Sequence, residues 1–277
     1  MCGIIAQMNF LEPVNQAIFD VARDTMFHRG PDGAGSEFFE DGRIGLGHRR
    51  LSIIDLSEAG RQPLSNEDET IWLSFNGEIY NYPDLRNILE GKGHRFSTNT
   101  DSEVLVHGYE EWGTEIVNHL KGMFAFVIWD SLKKEMFVAR DHFGIKPVCF
   151  YQDKNTFVVA SELKAIVALP DVPADIDFRS VADFFTLRYI PSPQSIWKGI
   201  KKLQPGHCMM VHADGHVKVW PYWQPHFQQN RINEKTATEQ LDDLLQTAVR
   251  EQLQSDVSVG LLLSGGMDSS VIADYAT

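Results

Sequence analysis

A cysteine directly behind the initiator methionine is the residue of this sequence with the clearest option for covalent chemistry. Removal of Met1 would leave Cys2 with a free α-amine and a thiol on the same residue. The reference pKa of an α-amine is about 7.7–8.0 and that of a thiol about 8.5, so the amine can accept the thiol proton near neutral pH. Because the thiolate is the reactive form, Cys2 would be a nucleophile that carries its own base.

Taken alone, Cys2 also fits the commoner role of an early cysteine, which is that of a small buried apolar residue. The sequence has three cysteines, and Cys149 and Cys208 show no paired spacing with Cys2. A sparse and odd set of cysteines argues against a disulfide framework and against a zinc site. We therefore predict no protein-held metal and a reducing compartment, the cytoplasm.

A second motif that could do chemistry lies near the other end of the chain. An apolar run over 257–263, typical of a parallel strand, precedes Ser264-Gly265-Gly266-Met267-Asp268-Ser269-Ser270, and a helix is predicted from 271 to 276. A strand, a glycine-rich loop and a helix in this order can cradle phosphate groups on backbone N–H groups and the helix amino terminus. A simple strand-to-helix turn is the alternative, and the adjacent serines and Asp268 favour the phosphate site.

Composition and charge narrow the class of protein. The 277 residues predict about two domains, and 43% hydrophobic with 23% charged residues is ordinary for a globular protein. The net charge of −13 disfavours general affinity for nucleic acid or anionic membranes. No apolar stretch reaches the roughly 18 residues of a membrane helix, and no basic flank precedes an apolar run as in a signal peptide.

The elements that must position these residues are read from hydrophobic periodicity. Strands are predicted over 2–10, 44–54, 71–75, 123–129, 135–140, 147–151 and 156–160, with a hairpin of 208–212 and 216–220. Helices are predicted over 15–26, 83–90, 181–187 and 238–253, with a further capped helix start at 98–103. Asn76-Gly77, which follows the strand 71–75, would by itself fit the commonest two-residue hairpin turn.

Several motifs of the chain, taken together and in order, resemble class II glutamine amidotransferases. These motifs are Cys2-Gly3-Ile4, Arg29-Gly30-Pro31-Asp32, Arg50-Leu51-Ser52-Ile53, Asn76-Gly77-Glu78-Ile79-Tyr80-Asn81, Thr100-Asp101-Ser102-Glu103 and Gly122-Met123-Phe124-Ala125-Phe126. Two more narrow the resemblance to glutamine-hydrolysing asparagine synthetases, namely Arg140-Asp141-His142-Phe143-Gly144-Ile145-Lys146-Pro147 and the loop 264–270. The resemblance covers essentially the whole chain.

This resemblance implies an α+β fold, a four-layer αββα N-terminal-nucleophile sandwich. It is followed by the first strand, loop and helix of a truncated α/β ATP-pyrophosphatase domain. The implied organisation is a glutaminase domain over 2–217, a linker over 218–236 and the start of the ATP-binding domain over 237–277.

The resemblance also implies roles for individual residues. Cys2 would attack the side-chain amide of glutamine, while the Asn76 side chain and the Gly77 N–H hold the oxyanion. Arg50 would bind the α-carboxylate, and Asp101 the α-ammonium. The implied glutamine-binding set is Arg50, Leu51, Ser52, Ile53, Ile54, Asn76, Gly77, Glu78 and Asp101.

Structural alternatives stay open for some of these residues. Arg50 and Asp101 could form a structural ion pair, and Glu78 could be a solvated turn residue. Arg29, Asp32 and Asp141 fit structural polar anchors better than catalytic roles.

In the family that the chain resembles, ammonia released from glutamine passes through a protected tunnel to a second site. There ATP activates aspartate as an acyl-adenylate, and magnesium accompanies the nucleotide. The implied ATP-binding residues are Leu263, Ser264, Gly265, Gly266, Asp268 and Ser269. Glutamine, aspartate and ATP would be the partners, with no nucleic acid and no membrane, and a homodimer is compatible with the resemblance.

Two departures limit what the resemblance implies. A parallel sheet cannot close from one strand and one or two helices, so we expect this chain alone to hydrolyse glutamine without making asparagine, as part of a longer polypeptide. Second, the segment 188–193 resembles longer bacterial members, some of which amidate other carboxylates. A different carboxylate acceptor is therefore one alternative, and a non-catalytic module that keeps the fold is another.

Overall fold

The computed structural model describes residues 1–227 and 232–277. Its strands are β1 (Gly3–Asn9), β2 (Gly33–Phe39), β3 (Ile44–Arg50), β4 (Leu64–Ser65), β5 (Ile71–Ile79), β6 (Gly122–Asp130), β7 (Glu135–Arg140), β8 (Cys149–Gln152), β9 (Thr156–Ala160), β10 (Ile200–Lys202), β11 (His207–His212) and β12 (Val217–Pro221). Its α-helices are α1 (Gln16–Asp24), α2 (Tyr82–Gly91), α3 (Glu103–Trp112), α4 (Leu163–Val167), α5 (Phe178–Leu187), α6 (Glu234–Glu251) and α7 (Met267–Ala276).

The strands form two six-stranded sheets. The first sheet has the order β10-β8-β9-β1-β3-β2, so the first strand of the chain lies inside it, between β3 and β9. The second sheet has the order β12-β11-β7-β6-β5-β4. All ladders between these described strands are antiparallel.

Alternation of side chains along the strands gives each sheet two buried faces. On β6, Ala125, Val127 and Trp129 face the first sheet, while Phe124, Phe126 and Ile128 pack on the opposite side. Residues two apart share a face of a strand, so a fully apolar strand such as β6 must be covered on both sides.

Three buried clusters therefore separate four layers. One cluster fills the space between the sheets, one joins the first sheet to α1 and α4, and one joins the second sheet to α2 and α3. This arrangement confirms the predicted α+β, four-layer αββα sandwich.

Two strand predictions and one turn need correction. The strand predicted over 44–54 ends at Arg50, and a loop with a short 3₁₀ turn at Glu58–Gly60 follows. The strand predicted over 71–75 continues to Ile79, because Asn76 and Gly77 pair with Ala125 and Phe124 of β6. The two-residue hairpin turn at Asn76-Gly77 is thus excluded.

The C-terminal part departs furthest from its prediction. Residues 257–263 form no strand, because a strand needs a hydrogen-bonded neighbour and none pairs with them within the described residues. Helix α7 begins at Met267, earlier than predicted. The predicted linker 218–236 overlaps β12 and α6 at its ends, and its residues 228–231 lie outside the described residues.

Among the helices that the structure describes, none combines the length and the hydrophobicity needed to cross a lipid bilayer.

Candidate active site

Cys2 lies just ahead of β1, where the two sheets approach each other. Its Sγ is 3.4 Å from the backbone nitrogen of Leu51, which donates to the sulfur. Arg29 Nε donates to the Cys2 carbonyl oxygen over 2.9 Å, and Arg29 Nη1 pairs with Glu162 at 3.0 Å. Arg29 therefore fixes the main chain of Cys2, as expected of a structural anchor.

One cavity of about 140 Å³ collects most of the predicted site residues. Residues of the glutamine-binding and catalytic prediction that line it are Cys2, Arg50, Leu51, Ile53, Ile54, Asn76, Gly77, Glu78 and Asp101. Ser52 is the exception in that set, since it lines a neighbouring depression and its N–H donates to Asp32 Oδ2 over 2.9 Å. The fold thus brings together residues from β3, β5 and the segment before α3.

The side chain of Asn76 is buried and has unused hydrogen-bonding groups. It is 1% exposed, and neither its Nδ2 nor its Oδ1 has a hydrogen-bond partner among the described residues. Leaving a buried polar group unpaired costs about 1–3 kcal/mol, so native proteins rarely do so without a reason. An amide N–H that faces a cavity beside a thiol is suited to stabilise negative charge that develops there.

Strand pairing explains why Gly77 has no side chain. A Cβ at this position would lie 2.2 Å from the Met123 carbonyl oxygen of β6, which is part of the ladder. Only glycine lets β5 and β6 pair at this distance beside the cavity.

Arg50 ends β3 and its guanidinium is held by the loop that follows. Nη1 donates to the Ser57 carbonyl over 2.7 Å, and Nη2 donates to the Asp55 carbonyl. A Cβ at Gly60 would lie 2.1 Å from Nη2, so this glycine provides the space for the guanidinium. Arg50 forms none of the ion pairs found in the described part of the chain, which excludes the structural ion pair with Asp101 there.

Asp101 provides the opposite charge at the cavity wall. Its Oδ2 accepts from the backbone N–H of Ile79 over 2.8 Å, and the side chain is 7% exposed. Burial raises the pKa of Asp101 to about 7, and the negative charge of Glu78 acts in the same direction. An arriving ammonium group would offset both effects, because an opposite charge favours the ionised carboxylate.

Burial shifts the pKa of three more titratable groups that line the cavity. Burial raises the pKa of the Cys2 thiol and of Glu78, and lowers the pKa of Lys146. The Lys146 charge partly opposes the effect of burial on Cys2 and Glu78. A thiol with a raised pKa needs a base before it can act as a nucleophile.

Four polar residues that line this cavity are absent from the predicted site: Gln62, Thr100, Ser102 and Lys146. Lys146 is 4% exposed and follows a turn in which Asp141 accepts from the N–H groups of Ile145 and Lys146, both at 2.9 Å. Gln62 Oε1 accepts from the Phe75 N–H over 2.7 Å and so braces β5 next to Asn76. The motif 140–147 contained a signal for Lys146, whereas nothing in the sequence marked Gln62.

The predicted phosphate loop lies apart from this cavity and is exposed. Gly265 has φ +79, Ser264 Oγ and Ser269 Oγ are 2.9 Å apart, and α7 starts directly afterwards. Its hydroxyls and the helix amino terminus suit an anion. Asp268 is in the first turn of α7.

Comparison with known proteins matches two families to successive parts of the chain. The family described as "Glutamine amidotransferase domain" matches residues 1–223, and the family "Asparagine synthase" matches residues 240–277.

Curated relatives match at 35–38% identity. "Asparagine synthetase [glutamine-hydrolyzing] 3" of Bacillus subtilis is 38% identical over 281 residues, which is 100% of this chain and 45% of that protein. "Amidase chry2" of Gibberella zeae is 35% identical over 258 residues, which is 92% of this chain and 38% of that protein. The chain thus spans less than half the length of these relatives.

A solved structure supports the fold. The glutamine phosphoribosylpyrophosphate amidotransferase of B. subtilis matches with a TM-score of 0.60 at 19% identity, covering 99% of this chain and 64% of that one. The fold, the cavity and the matched families agree, and the chain belongs to the glutamine amidotransferase domain family, in the form carried by glutamine-hydrolysing asparagine synthetases.

Proposed function

We propose that the cavity beside Cys2 hydrolyses the side-chain amide of glutamine to glutamate and ammonia. The observation that carries this proposal is the buried, unpaired Asn76 amide, which lines one cavity with a thiol, a cation and an anion. A thiol and an oxyanion donor serve amide cleavage, while Arg50 and Asp101 match the α-carboxylate and α-ammonium of an amino acid.

Met1 must be removed before the reaction can take place. Met1 itself lines the cavity, so its loss frees the α-amine of Cys2 and opens space beside the sulfur. The amine takes the thiol proton, and the thiolate adds to the amide carbon to give an oxyanion that Asn76 and the Gly77 N–H stabilise.

Collapse of the oxyanion breaks the C–N bond, and the α-amine of Cys2 returns its proton to the leaving nitrogen. Ammonia departs and a γ-glutamyl thioester remains. Water then splits the C–S bond, which restores the thiol and releases glutamate.

In a protein that joins this domain to a complete ATP-binding domain, we propose that the ammonia is transferred to an aspartate that ATP has activated. The names of the curated relatives and the match of residues 240–277 to the asparagine synthase family support this acceptor. The loop from Leu263 to Ser269 would hold the pyrophosphate of ATP, with magnesium as part of the nucleotide substrate. We expect the 277-residue chain alone to act only as a glutaminase.

One specific alternative to this proposal concerns the molecule that accepts the ammonia. A relative that is not named as an asparagine synthetase matches 92% of the chain, so another carboxylate acceptor is the second candidate. We also propose that the protein forms a homodimer and is located in the cytoplasm. Cys149 and Cys208 are free and buried, as in proteins of reducing compartments.

Replacement of the nucleophile tests the glutaminase. Cys2→Ala should abolish glutamate release from glutamine, while Cys149→Ala, at another free cysteine, should retain it. In the full-length protein, Cys2→Ala should leave ammonia-dependent synthesis intact. Intact mass should show that Met1 is absent. Glutamate release by Cys2→Ala at the parent rate, or a working protein that retains Met1, would contradict the proposal.

A further inference from the structure

Two histidines and a glutamate converge where the segment after α2 meets α3. His107 Nδ1 lies 2.7 Å from Glu110 Oε2, and His94 Nδ1 lies 3.4 Å from the same oxygen. All three residues offer donor atoms within 4.8 Å of one another. This cluster, His94–His107–Glu110, lines none of the cavity that contains Cys2.

Each of the three side chains faces a further polar group on its far side. The other ring nitrogen of His107 faces Glu103 Oε1 at 3.7 Å, and the other ring nitrogen of His94 faces Glu111 Oε2 at 3.5 Å. Asn66 Nδ2 donates to Glu110 Oε1 over 2.8 Å. A carboxylate behind a histidine and an amide behind a carboxylate are the usual outer partners of metal ligands.

Carboxylates outnumber the histidines around the cluster, and only its innermost residues are buried. Glu103 and His107 are 2% and 1% exposed, and Glu110 and Glu111 add two more carboxylates next to them. A cation between the two rings would balance the carboxylates and use imidazole nitrogens as ligands.

We propose that His94, His107 and Glu110 bind one divalent transition-metal ion, with zinc as the ion that fits the donor set best. Zinc accepts two imidazoles and one carboxylate, with water as the fourth ligand. A tetrahedral ion at about 2.0–2.1 Å from each donor separates the donors by about 3.3 Å. The present spacings of 2.7 and 3.4 Å bracket that value.

The main competitor is a metal-free cluster in which a protonated His107 sits between carboxylates. Burial alone would lower the pKa of His107, but Glu103 and Glu110 raise it to about 9. A metal ion and a proton would therefore compete for the same nitrogen, and direct measurement of bound metal separates the two cases.

A bound ion would stabilise the segment that leads to the proposed glutamine site. The carboxylate of Glu103 accepts from the Ser97 N–H at 2.7 Å and from the Thr98 N–H at 2.8 Å. Ligation of His107 would hold Glu103, and with it the segment just before Asp101. This inference does not depend on the proposed glutaminase, because zinc content can be measured without activity.

Zinc binding by the purified 277-residue chain is the test. Protein in a Cys2→Ser background, which removes the cavity thiol as a ligand, would be stripped with a chelator, incubated with zinc chloride and desalted. We expect about one retained zinc ion per chain by mass spectrometry and a higher melting temperature with zinc. Cobalt(II) in place of zinc should give the strong visible bands of tetrahedral coordination.

Variants of the cluster give the decisive comparison. Glu110→Gln and the partly exposed His94→Gln should lose zinc, and Asn66→Ala should weaken it about 10–100-fold. His216→Gln is the matched control, because it removes a histidine from another stacked histidine pair, His212 and His216, which lies beside Glu135. Zinc content that is unchanged in both Glu110→Gln and His94→Gln, or no retained zinc in the parent, would overturn the proposal in favour of the protonated cluster.

Discussion

At the residue scale, the unpaired amide of Asn76 predicts a variant that loses catalytic activity without losing stability. Asn76→Ala should lower kcat for glutamine about 10²–10³-fold, because one oxyanion donor is lost. The melting temperature should not fall, because no hydrogen bond is broken. Steady-state kinetics and thermal denaturation of one preparation measure both effects.

Asn81 is the matched control for Asn76. Its side chain bonds the His119 carbonyl and the Lys121 N–H, both at 2.9 Å, outside the cavity. Asn81→Ala should therefore lower the melting temperature and leave kcat close to that of the parent. Equal kcat values for the two variants would show that Asn76 does not stabilise the oxyanion.

Asp101 makes a second prediction, which concerns pH. Its pKa in the folded chain is about 7, above the ordinary value of 3.8, so the native state binds more protons than the unfolded state between these values. The contribution of Asp101 to stability therefore falls as pH rises from about 4 to 7. Asp101→Asn should remove this loss, adding up to about 4 kcal/mol to the free energy of unfolding above pH 7, and should weaken glutamine binding.

Urea denaturation of the parent and Asp101→Asn at pH 4 and pH 8 measures this difference. The two proteins should have similar stability at the lower pH and should diverge at the higher one. A constant difference across the range would mean that the carboxyl is already ionised at low pH, and its proposed environment would be wrong.

At the element scale, β5 shows how strand pairing places the site. Gly77→Ala should cost at least about 2 kcal/mol of stability, because its Cβ would meet the Met123 carbonyl and neither strand can move alone. Loss of glutaminase activity should accompany the change. Gly91→Ala is the control, since nothing lies within 4 Å of a Cβ there. Alanine in place of glycine at this helix end should increase the free energy of unfolding by about 0.5–1 kcal/mol.

Chemical denaturation of both glycine variants measures these effects. If Gly77→Ala were as stable as Gly91→Ala, the close pairing of β5 and β6 at this point would be contradicted.

The strands of the core could be predicted from the sequence because their patterns are local. The apolar stretch 123–129 predicted β6 almost to the residue, and the predicted pairing with 135–140 is present as β7. The length of β5 could not be predicted, because Asn76-Gly77 is also a good turn and only pairing with β6 decides between the two.

For the site too, local motifs could be predicted, whereas features that depend on contacts between elements could not. Motifs marked Cys2, Asn76 and Asp101, and the fold brings them to one cavity. Gln62 could not be predicted, because its role depends on contact with the Phe75 N–H on another element. The apolar stretch 257–263 has a strand pattern, but a pattern cannot supply the neighbouring strand that the described chain lacks.

At the scale of the whole molecule, the segment after α6 contacts the loop that holds Arg50. Asp256 Oδ2 accepts from the Asp55 N–H over 2.7 Å, and the Asp256 N–H donates to the Ile53 carbonyl over 3.0 Å. The Asp55 carboxylate in turn accepts from the Asn99 N–H over 3.0 Å, near Asp101. The two ends of the proposed glutamine site are thus joined to the segment that leads into the predicted ATP loop.

Asp256→Ala should therefore raise the KM for glutamine about tenfold with little change in kcat. The loss of a hydrogen bond to a charged group is worth about 1.5–3 kcal/mol. A looser loop would weaken the binding of glutamine by Arg50 but would leave the reaction at the Cys2 sulfur unchanged. Glutaminase kinetics measure the change. Glu251→Ala, at the end of α6 just before this segment, is the control, because its pair with Lys121 lies on the surface and is worth little. Equal KM values for the two variants would show that the segment does not position the loop.

The place of β1 inside its sheet has a consequence for how the protein is made. The strand leaves the ribosome first, but its neighbour β9 ends at Ala160, so the sheet around it cannot close until that residue has emerged. At about 5–20 residues per second, the nascent amino end stays unfolded for on the order of ten seconds. In the proposed maturation, the peptidase that removes Met1 would therefore meet an open chain, and the sulfur would acquire its surroundings only after the amine beside it is free.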